Sequence, residues 1–570
     1  MDEQKGEKVN FFQTIAEGGQ TWAHRVRMVR QVLKIALSLS LVVGGGFFAF
    51  KISKVPPILL KSSWYRAKAQ VFDLIDKDVG VSQSYWESIS HEKISAPTKK
   101  VSSIRLLHYA TPLHNRFIMI AKKEAATSLS IALISLGALL TFFFIRGTTT
   151  QKRKHLSGNE LATPNKLRLK LLLKNQASDL RVGKMPLLKN TETQHFIVTG
   201  GTGSGKTNFI HSILPQVRDR KNKAIIIDTT GMFLERYYDP AKDLILNPFK
   251  ESGTPWNPWA ECENLFDYES LAESFIPHTH HENENYWRTA ARALFSSLLQ
   301  KTEDSQLTSE LSKWLLFEPL DSLAVFVQGT KAAAHIDPNS ERTAASIRSV
   351  ASSFLGCLEY LGNTQDPFSI KKWVARPDDN SWLFISCTPA QRSALNPLIT
   401  TWISVAIRGL LELTPDRDRR LWFFLDELPT LNKIKDLESL IAEGRKYGGC
   451  GVLAIQSFSQ MEEIYGRAAA KTITGNCSTK VVFSEQDPEV AARISKSLGE
   501  REVKECQEGI SYGAHEVRDG VSLSMHTRRL PIVSATDIQS LERNHAYVKL
   551  PGQLPIAKIK LPIVGGKLSK

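Results

Sequence analysis

Apolar and charged residues are unevenly distributed along the chain, and two uncharged apolar runs dominate its first 150 residues. The first run covers residues 35–50 and the second covers residues 125–145. A membrane-spanning helix needs about 20 apolar residues. The second run is long enough alone, and the first is long enough if Lys34 and Lys51 extend their amines to the interface. We therefore predict transmembrane helices at about residues 33–52 and 125–145.

Two such helices make residues 1–150 a membrane anchor with an extracytoplasmic loop at 53–124 and with both termini on the same side. The charged stretch of more than 30 residues before the first run is too long for a cleavable signal peptide. A signal anchor is therefore the favoured interpretation. The alternative is that both runs are buried core helices.

From residue 181 onward, short apolar runs alternate with amphipathic stretches. The strand-like runs lie at residues 196–198, 224–228, 382–386, 422–425, 452–455, 480–483 and 546–550. Helical patterns separate most of them, and this alternation is typical of a parallel sheet in an α/β domain.

Between residues 254 and 367 the apolar spacing is helical throughout. Segments 286–300, 307–316 and 343–361 repeat apolar residues every three or four positions, as in Trp287, Ala290, Ala291, Leu294 and Leu298. We therefore predict an all-α domain at 254–367. It is inserted into an α/β domain that consists of residues 181–253 and 368–570.

The net charge of +15 is concentrated before the α/β domain. Residues 1–190 contain 30 basic and 12 acidic residues, whereas the remainder contains 43 basic and 46 acidic residues. The net charge of the α/β domain therefore does not indicate nucleic-acid binding. Residues 151–180 are predicted to be a basic cytoplasmic stem, which lies against anionic head groups or is a solvated linker. None of the six cysteines forms a C-x-x-C pair, which excludes a zinc ribbon or a dense disulfide framework.

A phosphate-binding loop follows the first strand of the α/β domain. Its candidate nucleotide-binding residues are Gly200, Gly201, Thr202, Gly203, Ser204, Gly205, Lys206 and Thr207. Glycines let backbone N–H groups point into a concave site, and the following helix adds the positive end of its dipole. The G-x-x-x-x-G-K-T pattern predicts that Lys206 contacts the β- and γ-phosphates and that the Thr207 hydroxyl binds Mg²⁺. ATP and Mg²⁺ are the expected cofactors, which places this domain in the cytoplasm.

A second strand ends in a pair of carboxylates. Residues 421–425 are apolar and Asp426 and Glu427 follow them, which is the Walker B arrangement. Ligands of open α/β sheets bind at the carboxyl ends of the strands. We expect Asp426 to hold Mg²⁺ together with Thr207, and Glu427 to act as the general base for the attacking water.

Three further polar residues are candidates for the same site. Gln456 ends the strand at 452–455 and would contact the γ-phosphate and the water. Arg445 is either an arginine finger given to a neighbouring subunit or an ordinary helix-end arginine. Asp228 ends the strand at 224–228, but we expect it to have a structural role more often than a nucleotide-binding one.

These motifs together resemble one protein family. The chain has an anchor with two spans, then GGTGSGKT, AIIIDTTGMF, NPFKESGTPWNPWAE, NYWRTAARALF, LWFFLDELPTL, EGRKYGGCGVLAIQS and RRLPIVSATDIQSL. It is similar to the type IV secretion coupling proteins, and in particular to the TraD-type ATPases of conjugative transfer. The resemblance extends from about residue 180 to 555.

The resemblance implies a RecA-like motor domain interrupted by an all-helical domain, which assembles as a homo-hexamer on the bacterial inner membrane. It implies that the motor receives single-stranded DNA bound to a relaxase and moves it toward the channel proteins of the secretion system. By position, Lys206, Thr207, Asp426, Glu427 and Gln456 match the family's motifs, and Arg445 stands where the family has its arginine finger. The long acidic tail of some relatives has no counterpart, so we expect partner contacts elsewhere.

Two alternative functions remain open from the sequence. The chain is a docking receptor that uses ATP mainly for assembly, or it is a duplex DNA translocase of the FtsK type. The second would normally have further spans and a winged-helix domain after the motor, and the sequence contains neither pattern.

Overall fold

The computed structural model describes residues 11–151, 154–279, 282–377, 379–511 and 520–564. The chain folds as two compact units. The first comprises Met1–Arg153 and Glu505–His526, and the second comprises Lys154–Lys504 and Thr527–Lys570.

The first unit contains two long helices and a small module between them. Its elements are α1 (Phe11–Ser53), α2 (Pro57–Asp73), β1 (Val79–Ser82), α3 (Gln83–Ser90), β2 (Thr98–Val101) and α4 (Ser103–Gln151). Segments Val26–Ser53 of α1 and Ser103–Arg146 of α4 are long and apolar enough to cross a membrane, and most of their side chains are exposed. Both predicted runs therefore lie in helices that extend well beyond the predicted ends.

Helices α1 and α4 pack closely where Gly44 faces α4. A Cβ atom added to Gly44 would lie 2.8 Å from the Cβ of Ala132 and 3.1 Å from the carbonyl oxygen of Ser128. An added Cβ on Gly45 or Gly46 would meet no atom within 4 Å. Of the three consecutive glycines, only Gly44 is needed for the close approach.

Residues 53–124 are more than a loop. Strands β1 and β2 pair antiparallel, and Trp86, Tyr85 and Val79 form a small core with neighbouring apolar side chains. The buried Tyr85 hydroxyl donates a hydrogen bond to Ser62 Oγ at 2.9 Å. The last part of the predicted loop, from Ser103, is the beginning of α4. The sequence pattern did not show this module because its core is small.

The second unit is a large α/β assembly. Up to the helical region its elements are β3 (Lys154–Gly158), β4 (Leu161–Ala162), α5 (Pro164–Leu173), β5 (Ala177–Val182), β6 (Met185–Leu188), β7 (Phe196–Thr199), α6 (Lys206–Asp219), β8 (Lys223–Asp228), α7 (Met232–Tyr237) and β9 (Leu244–Leu246). The helical region contains α8 (Leu265–Phe275), α9 (Glu282–Lys301), α10 (Thr308–Ser312), α11 (Leu320–Phe326), α12 (Glu341–Leu355) and α13 (Ile370–Ala375). The remainder contains β10 (Trp382–Ser386), α14 (Arg392–Leu411), β11 (Leu421–Leu425), α15 (Leu437–Glu443), β12 (Gly449–Ile455), α16 (Phe458–Tyr465), α17 (Arg467–Asn476), β13 (Thr479–Val482), α18 (Pro488–Leu498), α19 (Ala535–Gln539), β16 (His545–Lys549) and β17 (Ile556–Lys560). Strands β14 (Glu500–Ser511) and β15 (Gly520–Pro531) are divided between the units, because Glu505–His526 belongs to the first.

Ten strands form the main sheet in the order β4-β17-β16-β13-β7-β12-β11-β8-β10-β9. The seven neighbouring strands from β13 to β9 are parallel, and each crossover brings a helix onto a face of the sheet. Both faces are therefore covered, which explains why β8 and β11 are buried along their whole length. The predicted strand at 546–550 corresponds to β16, which pairs antiparallel with β13. A short apolar run in the sequence does not show whether a strand pairs parallel or antiparallel.

The predicted fold class is confirmed, because a mixed α/β unit with a large parallel sheet carries an all-helical insertion. The described residues between β9 and β10 form helices and turns without a strand. This insertion shares one hydrophobic core with a face of the sheet, in which Trp256 and Trp402 meet edge to face with centroids 5.8 Å apart. Helix α14 is apolar and long enough to span a membrane, but most of its side chains lie in that core.

Residues 154–180 are part of the folded second unit, which differs from the predicted basic stem. Strand β4 pairs with β17 at the edge of the main sheet, and β3 pairs with β14. Leu167 and Leu171 of α5 are completely buried beneath the sheet. The basic residues of α5 lie on its outer side. They form the solvent-facing side of a packed helix and are not part of an unfolded stem.

Candidate functional site

The sheet order brings the sequence motifs to one edge. Strand β12 lies between β7 and β11, and the three run parallel, with Ile455 beside Thr199 and Leu425 beside Leu453. The phosphate-binding loop follows β7, Gln456 follows β12, and Asp426 follows β11. All three therefore leave the sheet at its carboxyl edge, where open α/β sheets bind ligands.

The phosphate-binding loop is held by two neighbouring segments. The Gly201 N–H group donates to the carbonyl of Ser484 at 2.8 Å, and the Asn544 N–H group donates to the carbonyl of Ser204 at 2.9 Å. At Gly200, where φ is 149°, an added Cβ would lie 2.7 Å from the Cβ of Phe483. The tight path of the loop therefore requires glycine at this position.

Lys206 places its ammonium inside the loop. Its Nζ atom donates to the carbonyl oxygens of Gly200 at 2.6 Å and Gly201 at 2.9 Å. Burial lowers the pKa of Lys206, and the carboxylates of Asp426, Glu427 and Glu485 oppose that effect. The loop is thus built around a positive charge that is available to phosphate oxygens.

Thr207 and Asp426 meet, although 219 positions separate them in the sequence. The Thr207 hydroxyl donates to Asp426 Oδ2 at 3.1 Å. Burial raises the pKa of Asp426 to about 6; the Thr207 hydrogen bond and Lys206 oppose the rise, while Glu427 and Asp228 add to it. A hydroxyl and a carboxylate at one point are oxygen ligands of the kind Mg²⁺ prefers. The residues present therefore fit this ion.

Glu427 adopts a strained backbone next to this pair. Its φ of 65° and ψ of 52° lie in the left-handed region, which residues other than glycine adopt rarely. The Thr430 N–H group and hydroxyl both donate to the Glu427 carbonyl, at 3.0 and 2.9 Å. Strain of this kind is typical of functional sites.

Gln456 reaches the phosphate-binding loop. Its amide Nε2 donates a short hydrogen bond to the Thr202 hydroxyl. A change in the loop can therefore displace the residue that begins the segment after β12.

The structure does not bring Arg445 to the nucleotide site of its own chain. It lies in the short helical turn Gly444–Tyr447, directly before β12, and its side chain is exposed. Gln456 follows the other end of the same strand. The seven residues of β12 separate these ends by about 20 Å, at about 3.3 Å per residue.

Asp228 has a structural role. Its carboxylate accepts hydrogen bonds from the N–H groups of Thr230, Gly231 and Leu234, at 3.2, 2.7 and 2.8 Å. These bonds fix the turn after β8 and satisfy N–H groups at the beginning of α7.

Two residues near the loop were missed by the sequence analysis. Glu485 is buried, and its charge acts on Lys206. Asn544 contacts the loop, and its Oδ1 would lie 2.9 Å from a Cβ added to Gly205. Glu485 comes just after the predicted strand at 480–483, so strand-end position could have indicated it. Asn544 comes before β16, and no feature of the sequence pattern indicates its contact.

Comparison with known proteins identifies the relatives of this chain. Residues 179–562 match the family model of the type IV secretion-system coupling protein DNA-binding domain. The coupling protein TraD of Escherichia coli K12 is 32% identical over 572 aligned positions, which cover 96% of this chain and 77% of TraD. The conjugal transfer protein TraG of Escherichia coli is 22% identical, and the alignment covers 56% of this chain and 57% of TraG.

Solved structures of the conjugative coupling protein TrwB share the fold. A form of TrwB lacking its N-terminal 70 residues has 27% sequence identity and a TM-score of 0.66, over 74% of this chain and 96% of that one. TrwB has also been solved with ADP and Mg²⁺ and with a non-hydrolysable ATP analogue. The expected cofactors, ATP and Mg²⁺, are therefore confirmed at the level of the family.

Proposed function

Because this chain belongs to the type IV secretion-system coupling proteins, we infer that it is a membrane-anchored ATPase that moves single-stranded DNA, with its attached relaxase, toward a secretion channel in conjugation. The observation that carries this proposal is the meeting of Thr207 and Asp426 at 3.1 Å, beside Lys206 and Glu427. The pair would hold the Mg²⁺ of a bound nucleotide, and the second carboxylate beside it, Glu427, is needed for ATP turnover but not for a docking receptor that only binds nucleotide.

We assign the chemical roles by position in the site. The backbone N–H groups of residues 200–207 and the Lys206 ammonium bind the phosphates, and Thr207 and Asp426 hold Mg²⁺. When bound, this ion neutralises charge that develops on the transferred phosphoryl group. Glu427 accepts a proton from the attacking water, and Gln456 orients that water while it remains in contact with Thr202.

The position of Arg445 supports an oligomeric motor. It lies at the amino edge of the sheet, about 20 Å of strand away from the carboxyl edge of its own chain. An arginine finger at this position acts on the nucleotide of a neighbouring subunit. We therefore propose a homo-hexamer in which each active site is completed by the next copy.

The two apolar helices support a location in the bacterial inner membrane. We propose that α1 and α4 each cross the bilayer once, with the second unit in the cytoplasm and the module of residues 53–124 outside it. This module would then be available to channel proteins of the secretion system.

The test is ATP hydrolysis by the full-length protein in lipid nanodiscs, with and without DNA. We expect single-stranded DNA to stimulate hydrolysis more than duplex DNA does. Glu427→Gln should lower the rate by at least about 100-fold, the usual contribution of a positioned general base. Glu359→Gln, which removes an exposed carboxylate of the helical region, is the matched control.

The alternatives give different results in the same assay. Hydrolysis that no DNA stimulates supports the docking receptor. Stimulation by duplex DNA alone supports the FtsK-type translocase.

A further inference from the structure

A cavity of about 600 Å³ lies behind the nucleotide site, on the face of the sheet that carries α16 and α17. Its walls come from β7, β13, α16, α17 and α18, all within the second unit. The volume falls in the range of about 300–1,000 Å³ that is usual for ligand sites. The cavity is separate from the residues assigned to ATP and Mg²⁺.

The lining of the cavity is strongly basic. Five cationic side chains line it, namely Arg467, Lys471, Lys480, Arg493 and Lys496, and Glu462 is the acidic residue among the lining. Arg467 and Lys471 are four positions apart on α17, and Arg493 and Lys496 are three apart on α18. Each helix therefore presents two charges on one face.

Most of these charges have no internal counterion. Arg493 pairs with Glu462 at 2.7 Å and lies over the Phe458 ring at 5.0 Å from its centroid. In the part of the chain that the structure describes, the other four cations form no ion pair. A concave surface with this excess of positive charge attracts an anionic ligand.

A buried hydroxyl and a half-buried lysine also indicate a polar ligand. The Thr199 hydroxyl lines the cavity with 4% of the residue exposed, and its oxygen has no hydrogen-bond partner within the described ranges. Burial lowers the pKa of Lys480, and the neighbouring Lys549 lowers it further. An anion in the cavity would stabilise both groups, because buried polar atoms are normally hydrogen-bonded.

The cavity is joined to the phosphate-binding loop on two sides. Thr199 immediately precedes Gly200, the first residue of the loop. Phe458 lies two positions after Gln456, which donates a hydrogen bond to Thr202 within the loop. Helix α16 therefore begins between the nucleotide site and the cavity.

We propose that this cavity binds backbone phosphates of the translocated DNA strand, and that Gln456 and α16 link its grip to the state of the nucleotide. This rests on the proposed function, since it assumes DNA as the cargo. Residues 179–562, which match a DNA-binding domain, include the whole cavity. An open cavity of about 600 Å³ suits a few nucleotides of one strand. An acidic protein segment is the competing ligand.

The first experiment measures the affinity of full-length protein in nanodiscs for a fluorescent oligothymidine strand over a range of salt concentrations. In the double variant Arg467→Ala/Lys471→Ala, the slope of log K against log salt should decrease by about 1.4, since each phosphate contact on a single strand contributes about 0.7. The control is Lys301→Ala/Arg342→Ala, which removes one lysine and one exposed arginine from the helical region. It should leave the slope unchanged.

The charge-retaining variant Arg467→Lys/Lys471→Arg should restore the wild-type slope. If the wild-type protein binds DNA but the double variant keeps its slope, the proposal is wrong. Loss of assembly with an unchanged slope, measured by mass photometry, would instead assign the cavity to an acidic protein segment. If the wild-type protein neither binds DNA nor is stimulated by it, the proposed function fails first.

A second measurement does not depend on any variant. Wild-type protein is irradiated with a strand that contains 4-thiothymidine, and the crosslinked peptides are mapped by mass spectrometry. Crosslinks within residues 458–497 support the proposal. Crosslinks confined to other parts of the second unit contradict it.

The link to the nucleotide is tested through Gln456. In the wild-type protein, strand affinity should differ between ADP and a non-hydrolysable ATP analogue. In Gln456→Ala this difference should become smaller, while the salt slope remains that of the wild type. An undiminished difference would show that α16 does not connect the two sites.

Discussion

At the scale of single residues, two ionisable groups of the nucleotide site lie where burial disfavours their charged forms. Asp426 is held where burial favours its neutral form, and Lys206 is held where burial disfavours its charge. The two groups are placed for a ligand that carries both phosphate and metal charge. The protein without nucleotide is therefore less stable than its packing alone would allow.

This leads to a pH-dependent prediction for Asp426→Asn. The native pKa of about 6 exceeds the usual value of 3.8, so the native state loses stability as the pH rises from 3.8 to 6. Above pH 6 the wild-type protein bears the full cost of a buried carboxylate. The variant should therefore raise the Tm of the nucleotide-free protein by a few degrees at pH 8 and by about half as much at pH 5.

Differential scanning fluorimetry of the full-length protein measures both values. The same variant should lose the Mg²⁺-dependent part of the Tm increase that ATP causes in the wild-type protein, because the carboxylate that we propose as a metal ligand is missing. An equal change of Tm at pH 5 and pH 8 would contradict the origin that we give for this effect.

At the scale of elements, the packing of α1 on α4 depends on one glycine. Gly44→Ala would place a Cβ atom 2.8 Å from the Cβ of Ala132. We expect the variant to destabilise the helix pair by about 1–3 kcal/mol, the usual cost of overpacking. Gly45→Ala is the matched control, since its Cβ would meet no atom within 4 Å and alanine favours a helix.

The measurement is the thermal stability of the purified full-length protein in detergent, together with disulfide crosslinking between cysteines placed in the two helices. Lower stability and weaker crosslinking are expected for Gly44→Ala alone. If both variants behave alike, the two helices do not depend on contact at this position.

The elements also show how far the sequence could predict the fold. Strands β8, β10 and β11 were predicted to within one residue, because strands buried on both faces are uninterrupted apolar runs. Helix α5 was missed because its two lysines and one arginine hide the spacing of Leu167 and Leu171, which are both completely buried. Strand β4 has only two residues, which is too short for any periodicity.

The nucleotide site was predicted to a similar degree. Lys206, Thr207, Asp426 and Gln456 lie together, since motifs at strand ends meet once the strands are parallel. Glu485 follows β13 and Asn544 precedes β16. Both reach the nucleotide site because of the position of these strands in the sheet, which the local sequence does not specify. Arg445 lies at the amino edge of the sheet because it precedes β12, and the motif around it does not indicate this position.

At the scale of the whole molecule, the second unit begins earlier than the sequence pattern indicates. A fragment from residue 154 keeps β4 and α5, whereas a fragment from residue 181 loses both and uncovers the sheet beneath them. We expect the longer fragment to be soluble and cooperatively folded, and the shorter one to aggregate. Size-exclusion chromatography and thermal melts distinguish the two outcomes.

A point variant tests the same boundary in the intact protein. Leu171→Ala should cost about 2–5 kcal/mol, because it opens a cavity in a closed core. Leu172→Ala is the control, as its side chain is largely exposed. Equal effects of the two variants would mean that α5 is not part of the folded unit.

The oligomeric motor is tested by mixing inactive subunits. Arg445→Ala should bind nucleotide normally and hydrolyse it slowly, and Lys206→Ala should do neither well. If Arg445 acts on the neighbouring subunit, mixed oligomers contain some sites with both residues intact, and the mixture should hydrolyse more ATP than either variant alone. Absence of any recovery in reconstituted mixtures would leave Arg445 with a structural role only.

Helix α4 has a consequence for communication along the protein. It is 49 residues long, or about 70 Å at 1.5 Å per residue, whereas the hydrocarbon layer of a bilayer is only about 30 Å thick. After Pro112 no proline interrupts it. A rod of this kind transmits torque, since a continuous helix has no swivel. If α4 crosses the bilayer as proposed, rotation of its outer end would turn its cytoplasmic end directly, without a diffusible ligand on either side.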